Sequence, residues 1–371
     1  MMFQYVLVIL EKGAVPFCHY QNPHFYSTRE PERMSLAILE NVVEIARTNE
    51  LFVNFLYGKQ RLPPEYEKLI ETVKHVKIMP LPLTTVYRDG IAVLDADDCD
   101  SLVEQDNVTY GNLILRVEKH NIADLSRLFR LLQGKCMRIN IHLVGIEYFT
   151  ESEIAIYEGE LETISRELVK QYEGGKDIEV SLLSDRMLLS AMNNCDAGVK
   201  HITVAPDGKC YICPGFYYRD TTSDISVSLQ EALAAPITNG RLLDIACAPI
   251  CSRCDAYHCK RCVYLNLKST GEINTPSGQQ CIVAHIEREM SRIMANSLEW
   301  LEGFQELPRI ACTPFRDPLQ KVLRRNQSAP MATSGGRITA RPESDGFLAK
   351  VFDTQQKILQ LLQKNKEEKH G

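Results

Sequence analysis

The chain alternates short apolar runs with longer amphipathic stretches. "YVLVIL" (5–10) is branched and unbroken, the pattern of a strand buried on both faces. "LFVNFLYG" (51–58), "VKIMPL" (76–81), "IAVLD" (91–95), "NLILRVE" (112–118), "CMRINIHLVG" (136–145) and "DIEVSLL" (177–183) read as further strands. Between them, residues 32–48, 63–75, 122–135 and 152–175 carry apolar residues at helical spacing. Prolines and acids open the second of these helices, and a glycine pair stops the last. The alternation of strand and helix predicts an α/β unit with parallel strands. Its ligand site belongs at the carboxyl ends of the strands. The loop "GAVPFCHYQNP" (13–23), with Cys18, falls at such an end.

The pattern changes near residue 190. From there to about 290 the chain reads as short strands, turns and cysteines. "KHITVAPDGKCYICPG" (200–215) predicts a hairpin around the turn at 206–208, with cysteines on the return arm. Residues 281–302 predict a helix on which Trp300 packs. Residues 325–346, rich in Ser, Gly, Pro and Arg, predict a flexible linker. Residues 347–371 predict an amphipathic helix whose leucines read as a docking face. The expected division is therefore 1–190, 191–300, an extension at 301–324, the linker and the final helix.

Charge and cysteine usage narrow the function. The 371 residues carry a formal net charge of -6, which speaks against a nucleic-acid binder. The first apolar run is six residues long and lacks a basic flank, so it is no signal peptide. No apolar stretch nears the length of a membrane span, and the expected location is the cytoplasm. G-x-S-x-G, Walker and H-E-x-x-H motifs are absent, which removes the common hydrolase and transferase readings. "IAVLDADDCD" (91–100) reads as a strand end running into a solvated acidic loop, or as a site for a basic peptide or hard cation. Arg116 and Arg138 lie in or near strands, where an ion-pair role is expected.

Nine of the thirteen cysteines lie between 195 and 281. Cytosolic thiols stay reduced, and clustered thiolates at short spacings point to metal. The candidates are Cys195, Cys210, Cys213, Cys247, Cys251, Cys254, Cys259, Cys262 and Cys281. Four thiolates suit zinc or a [4Fe-4S] cube equally, and the spacing leaves both open.

"DAGVKHITVAPDGKCYICPGFYY" and "CSRCDAYHCKRC", followed by Cys281, resemble the SPASM domain of radical S-adenosylmethionine enzymes that modify peptides. The first half matches at Cys195, Gly208 and Cys213. The second half departs, because Cys254-x4-Cys259-x2-Cys262 is one residue short in each gap. The resemblance implies two auxiliary [4Fe-4S] clusters. One would take Cys195, Cys213 and Cys262, with Cys210 as a fourth ligand. The other would take Cys251, Cys254, Cys259 and Cys281, and Cys247 could substitute in either. The first unit likewise resembles the family's partial (β/α)6 TIM-like barrel. There the loop after the first strand carries C-x3-C-x2-C for the S-adenosylmethionine cluster. This chain offers only Cys18, with His19 and His24 nearby as surface residues. After the second strand, "LYGKQRLPP" (56–64) keeps Gly58 as a cofactor-site candidate but replaces the family's acid.

The overall plan is most similar to the CXXX-repeat peptide maturases. That resemblance implies a cytoplasmic maturase acting on a small cysteine-repeat precursor peptide, with a partner maturation protein as a further possibility. Two alternatives stand beside it. One is an inactive barrel that binds peptide or passes electrons. The other is a zinc-binding recognition protein.

Overall fold

The computed structural model describes residues 3–318, apart from 28, 30–31, 103–109, 220–221, 236 and 314–315. The linker and final helix expected at 325–371, and residues 319–324 of the extension, lie outside the described residues.

Nine strands form one sheet. They are β1 (Tyr5–Ile9), β2 (Phe52–Leu56), β3 (His75–Pro80), β4 (Ile91–Asp95), β5 (Tyr110–Val117), β6 (Cys136–Leu143), β7 (Glu179–Val180), β8 (His201–Val204) and β9 (Cys210–Tyr211), in the spatial order β7-β6-β5-β4-β3-β2-β1-β8-β9. Neighbours are parallel throughout, except the antiparallel β8–β9 pair. Parallel pairing needs crossovers. Helices α1 (Leu36–Thr48), α2 (Pro64–Ile70), α3 (Leu125–Leu132) and α4 (Glu151–Glu173) supply four of them. The β3–β4 connection is only a 3-10 turn, Leu81–Thr85. The result is an open, partial (β/α) barrel, as the alternation predicts.

β1 explains its own unbroken apolar sequence. Tyr5, Leu7 and Ile9 face one core with α3 and α4, while Val6 and Val8 face a second core with α1 and α2. A strand covered on both sides has no position left for a polar residue. α4 is bounded as its sequence requires. Thr150 and Glu153 form a capping box, and Gly175 follows the helix at φ 72°.

The region after 190 differs from the expected strands and turns. Among the described residues it contains one hairpin, β8–β9, and several short helices and 3-10 turns set between turns and irregular stretches. These include α5 (Ser184–Leu188), just before it, then α6 (Pro214–Arg219), α7 (Leu229–Ala234), α8 (Val263–Thr270) and α9 (Gly278–Leu298). The three helices α6, α7 and α8 are six to eight residues long, too short for periodicity to announce them. Trp300 follows α9 and is 64% exposed, not packed. The sheet does not stop at 190 either. β8 joins β1 in parallel, with Tyr5 opposite His201, and their rings stack at 4.7 Å.

Two buried groups test this frame. Arg138 on β6 donates to Asp185 of α5 at 2.7 and 2.8 Å and pairs with Glu179 of β7. Truncation would strand a buried carboxylate, so Arg138→Ala should cost about 3–5 kcal/mol in urea unfolding. A loss below about 1 kcal/mol would show that the pair holds nothing. Arg116 is also buried in an ion pair, with Asp95 at 2.8 Å.

His201 gives the pH dependence. Burial pulls its pKa from 6.5 down to about 4, partly opposed by a hydrogen bond to Cys195 O. The folded state therefore holds the neutral ring. The stability this provides is complete above the unfolded pKa of 6.5 and is lost as pH falls through about 4, a swing of about 3 kcal/mol. His142, also depressed by burial, acts in the same direction. Stability measured from pH 7 to 4 should fall, and His201→Phe should flatten the slope. An unchanged slope in that variant would remove His201 as a cause.

Candidate metal centres and strand-end cavity

Cys195 and Cys262 meet through backbone pairing. Asn193 N–H donates to Tyr257 O at 2.8 Å, and Cys195 N–H donates to Lys260 O at 3.0 Å. Cys262 is the N-cap of α8, and Leu265 N–H donates to its Sγ at 3.4 Å. Cys213 arrives by way of the β8–β9 hairpin, whose turn needs Gly208 at φ 86°.

The fourth member comes from the barrel. Cys18 stands in the loop after β1, and that loop is held firmly. His19 Nδ1 lies 3.1 Å from Leu143 O, Arg116 donates to Tyr20 O at 3.2 Å, and Tyr20 stacks on Tyr218 at 5.4 Å. Cys18, Cys195, Cys213 and Cys262 line one cavity of about 60 Å³, walled by Tyr5, Leu7 and Phe17. Cys18 thus faces the accessory cysteines instead of standing open at the strand ends. His19, expected at the surface, lines the same cavity.

Burial dominates the electrostatics of this group. It pushes the Cys18 thiol up to about 12 and Cys195 to about 11, with mutual repulsion and Asp196 adding to it. Cys213 and Cys262 are raised further, again by burial first and then by the neighbouring thiols. Without a cation the four are neutral. A metal centre would reverse that preference by stabilising thiolates.

Cys251, Cys254, Cys259 and Cys281 form a second group. Cys251 and Cys254 bracket a 3-10 turn, with Cys254 N–H donating to Cys251 O at 3.2 Å. Cys281 lies in the first turn of α9. Burial pushes Cys259 up to about 12, and Cys251 and Cys254 add to it. Cys281 is raised by burial and by the same three thiols. His285, one turn beyond Cys281, brings Nε2 to 3.3 Å from Cys254 Sγ. Cys254, Asp255 and His285 hold their ligand atoms within 4.8 Å of one another, but Asp255 is already paired with Arg288 at 2.7 Å.

Three candidates stand apart. Cys210 is buried in the other core, with α1 and α7, while Tyr211 next to it joins the core of the cysteine cavity. Successive strand residues face opposite sides, and the structure does not bring Cys210 to the cavity that Cys213 lines. Cys247 is exposed on a 3-10 turn. Gly58 is covered by Glu11, whose Oε1 would lie 1.4 Å from any added Cβ. Glu11 is buried and pairs with Arg33 at 3.6 Å, so the position offered to a cofactor is filled from within.

A larger cavity of about 590 Å³ opens at the carboxyl ends of β3, β4 and β5. Its floor is apolar, from Val15, Leu81 and Val93, and its rim carries Lys59, Asp97, Asp98 and Glu118. Lys59 Nζ lies over the Phe25 ring at 4.7 Å. Arg116, Asp95 and Tyr26 form a closed network, with Tyr26 donating to Asp95 at 2.7 Å. The acidic loop is therefore partly committed: Asp95 to Arg116, and Asp97 to His120 and Asn121. Cys99 beneath it is buried, which raises its pKa to about 12. Among the described residues, no helix is long and apolar enough to cross a membrane.

No family model matches the chain, and no curated protein matches it in sequence. Solved structures match it in shape. A histidine-tagged anSMEcpe with bound AdoMet aligns at TM-score 0.56 and 13% identity, over 81% of this chain and 97% of that one. Native anSMEcpe with bound AdoMet and a Cp18Cys peptide aligns at TM-score 0.54 and 13% identity, over 80% and 99%. Likeness at this identity speaks for the fold, and the finer resemblance to CXXX-repeat maturases rests on the sequence. The chain folds as a partial (β/α) barrel of radical SAM type followed by a cysteine-rich SPASM-like region.

Proposed function

We propose that this protein is a catalytically silent radical SAM-fold partner in peptide maturation, which holds two [4Fe-4S] clusters and passes electrons to a peptide-modifying system. One observation carries the reading. The loop after β1 has a single thiol, Cys18, and that thiol lines the accessory cavity.

A radical SAM site needs three thiolates at the strand ends with one iron left open. The residues present do not fit that group. His24 is exposed at the surface, and Gly58 is covered by Glu11. No cleavage of S-adenosylmethionine is derived for this chain.

The two groups of four cysteines do fit auxiliary clusters. Each combines buried and half-buried cysteines, and each offers thiols that a cationic centre would convert to thiolates. Cys251, Cys254, Cys259 and Cys281 would hold one cluster. Cys195, Cys213 and Cys262 would hold the other. Such clusters supply one-electron transfer. The protein's part is to bury them, exclude water and surround them with fixed charge. Lys260 and Arg261, both within the cysteine segment, provide positive charge beside the two groups.

A cysteine-repeat precursor peptide is the ligand class that the sequence resemblance favours. The 590 Å³ cavity at the strand ends is where it would enter, and its acidic rim suits a peptide with basic residues. A neighbour of the same fold carries a peptide together with AdoMet, which supports peptide access to this fold.

Anaerobic purification followed by iron, sulfide and zinc analysis tests the reading. The expected protein is brown, with about eight irons per chain and negligible zinc. Under a strong reductant it should form no 5′-deoxyadenosine from S-adenosylmethionine. About twelve irons with cofactor cleavage would make it an active enzyme. A colourless protein with two zincs would make it a recognition module.

A further inference from the structure

The four-cysteine cavity goes beyond that reading in one respect, although it rests on the chain being an iron–sulfur protein. We infer that Cys18, from the barrel loop, is the fourth ligand of the first accessory cluster, and that its cage with Cys195, Cys213 and Cys262 is built for a polynuclear centre and not for a single ion.

Spacing carries the second half of the inference. A tetrahedral zinc with sulfur ligands at about 2.3 Å holds its sulfurs about 3.8 Å apart. The four thiols share one cavity. Yet among the described residues no three of their sulfurs lie within 4.8 Å of one another. As placed, the sulfurs are spread wider than one tetrahedral ion would hold them. A cube of irons and sulfides holds its terminal thiolates farther apart and fills the space between them.

Loop architecture carries the first half. Cys18 is not a stray thiol that happens to point inward. Its neighbours on both sides are fixed: Phe17 packs edge-on to Tyr20 at 5.9 Å, and His19 is tied to Leu143 O. Tyr20 is then stacked on Tyr218 of the accessory region. Cys210 fails on topology, because β9 turns it into the opposite core. On ligation the four thiols release four protons and become thiolates. The centre then joins the barrel loop to the accessory region by coordinate bonds, through one ligand before β2 and three after β7.

The same loop also lines the strand-end cavity. Val15, Phe25 and Tyr26 are on its wall, and Arg116 binds both Tyr20 O and Tyr26. Loading of the cage and the shape of that cavity are therefore linked through one short segment.

The test uses full-length protein purified without oxygen. Iron and sulfide are counted, and the reduced clusters are followed by electron paramagnetic resonance. Cys18→Ala should lose about half the iron, or convert one cluster to a three-iron form. Cys18→Ser, which keeps the size and offers a poorer ligand, should keep the fold and shift one cluster's signal. Cys281→Ala should perturb the other signal only, and Cys210→Ala should change neither. Full iron and an unchanged spectrum in both Cys18 variants would overturn the assignment of Cys18, as would iron loss in Cys210→Ala. One zinc in this cage would overturn its polynuclear character. Cofactor cleavage by a protein whose Cys18 variants behave as expected would sink the functional reading and leave this assignment standing.

Discussion

The parallel pairing of β1 with β8 is the constraint on which the rest depends. Five β1 residues are buried on two faces, and the strand is paired along both of its edges. β8 covers its open side, at Tyr5–His201 through Val8–Val204. This pairing brings the cysteine-rich region to the barrel wall. Cys195 precedes β8, and Cys213 follows the hairpin that β8 begins. The loop leaving β1 then faces both. A sheet without β8 would leave Cys18 with no accessory thiols to meet.

Eight thiols gathered into two buried groups pose an electrostatic problem. As thiols they are small apolar groups that pack without penalty. As thiolates without a cation they would repel one another in a medium that screens poorly. Their raised pKa values record that choice. The surrounding residues prepare for the charged alternative. Lys260 lines both the cavity of the first group and a second one that touches Cys259, and burial lowers its pKa to about 8. Arg261 is 2% exposed and bonds to Leu243 O at 2.9 Å. Burying a cation is costly unless negative charge lies near it. An anionic four-thiolate centre on either side would supply that charge.

Much of this was legible in the sequence, and the gaps have physical causes. The two-faced strand, the hairpin at 206–208 and the glycine stop of α4 follow from local pattern, and the second cysteine group is implied by the SPASM resemblance. The first group was legible only in part. Cys195, Cys213 and Cys262 are separated along the chain but carry the SPASM-like spacing. Cys18 lies between 177 and 244 residues before the three cysteines that share its cavity, and the β1–β8 pairing brings it to them. Cys210 was a reasonable candidate by proximity, since it stands three residues before Cys213. Its rejection could still be foreseen from strand alternation, once the return arm is taken as a strand. Glu11 left no signal at Gly58, because a side chain filling a glycine's open face has no sequence signature.

The segment "CKRC" (259–262) shows how a short spacing can feed two cysteine groups. Cys259 belongs to one group and Cys262 to the other, with only Lys260 and Arg261 between them. Two cysteines this close could share one ion if the chain curled around it, as in a zinc knuckle. Here the backbone turns the other way. Arg261 sits at φ 42°, in the left-handed region, which costs a non-glycine residue about 1–3 kcal/mol. The bonds from its guanidinium to Leu243 O and Asn274 Oδ1 hold it there. Asp196, next to Cys195, is left-handed too, at φ 56°. Strain is thus placed beside two of the three accessory cysteines of the first group. The left-handed turns stand where Cys259 and Cys262 part into two groups, and two cysteine groups that share one short segment interleave along the chain.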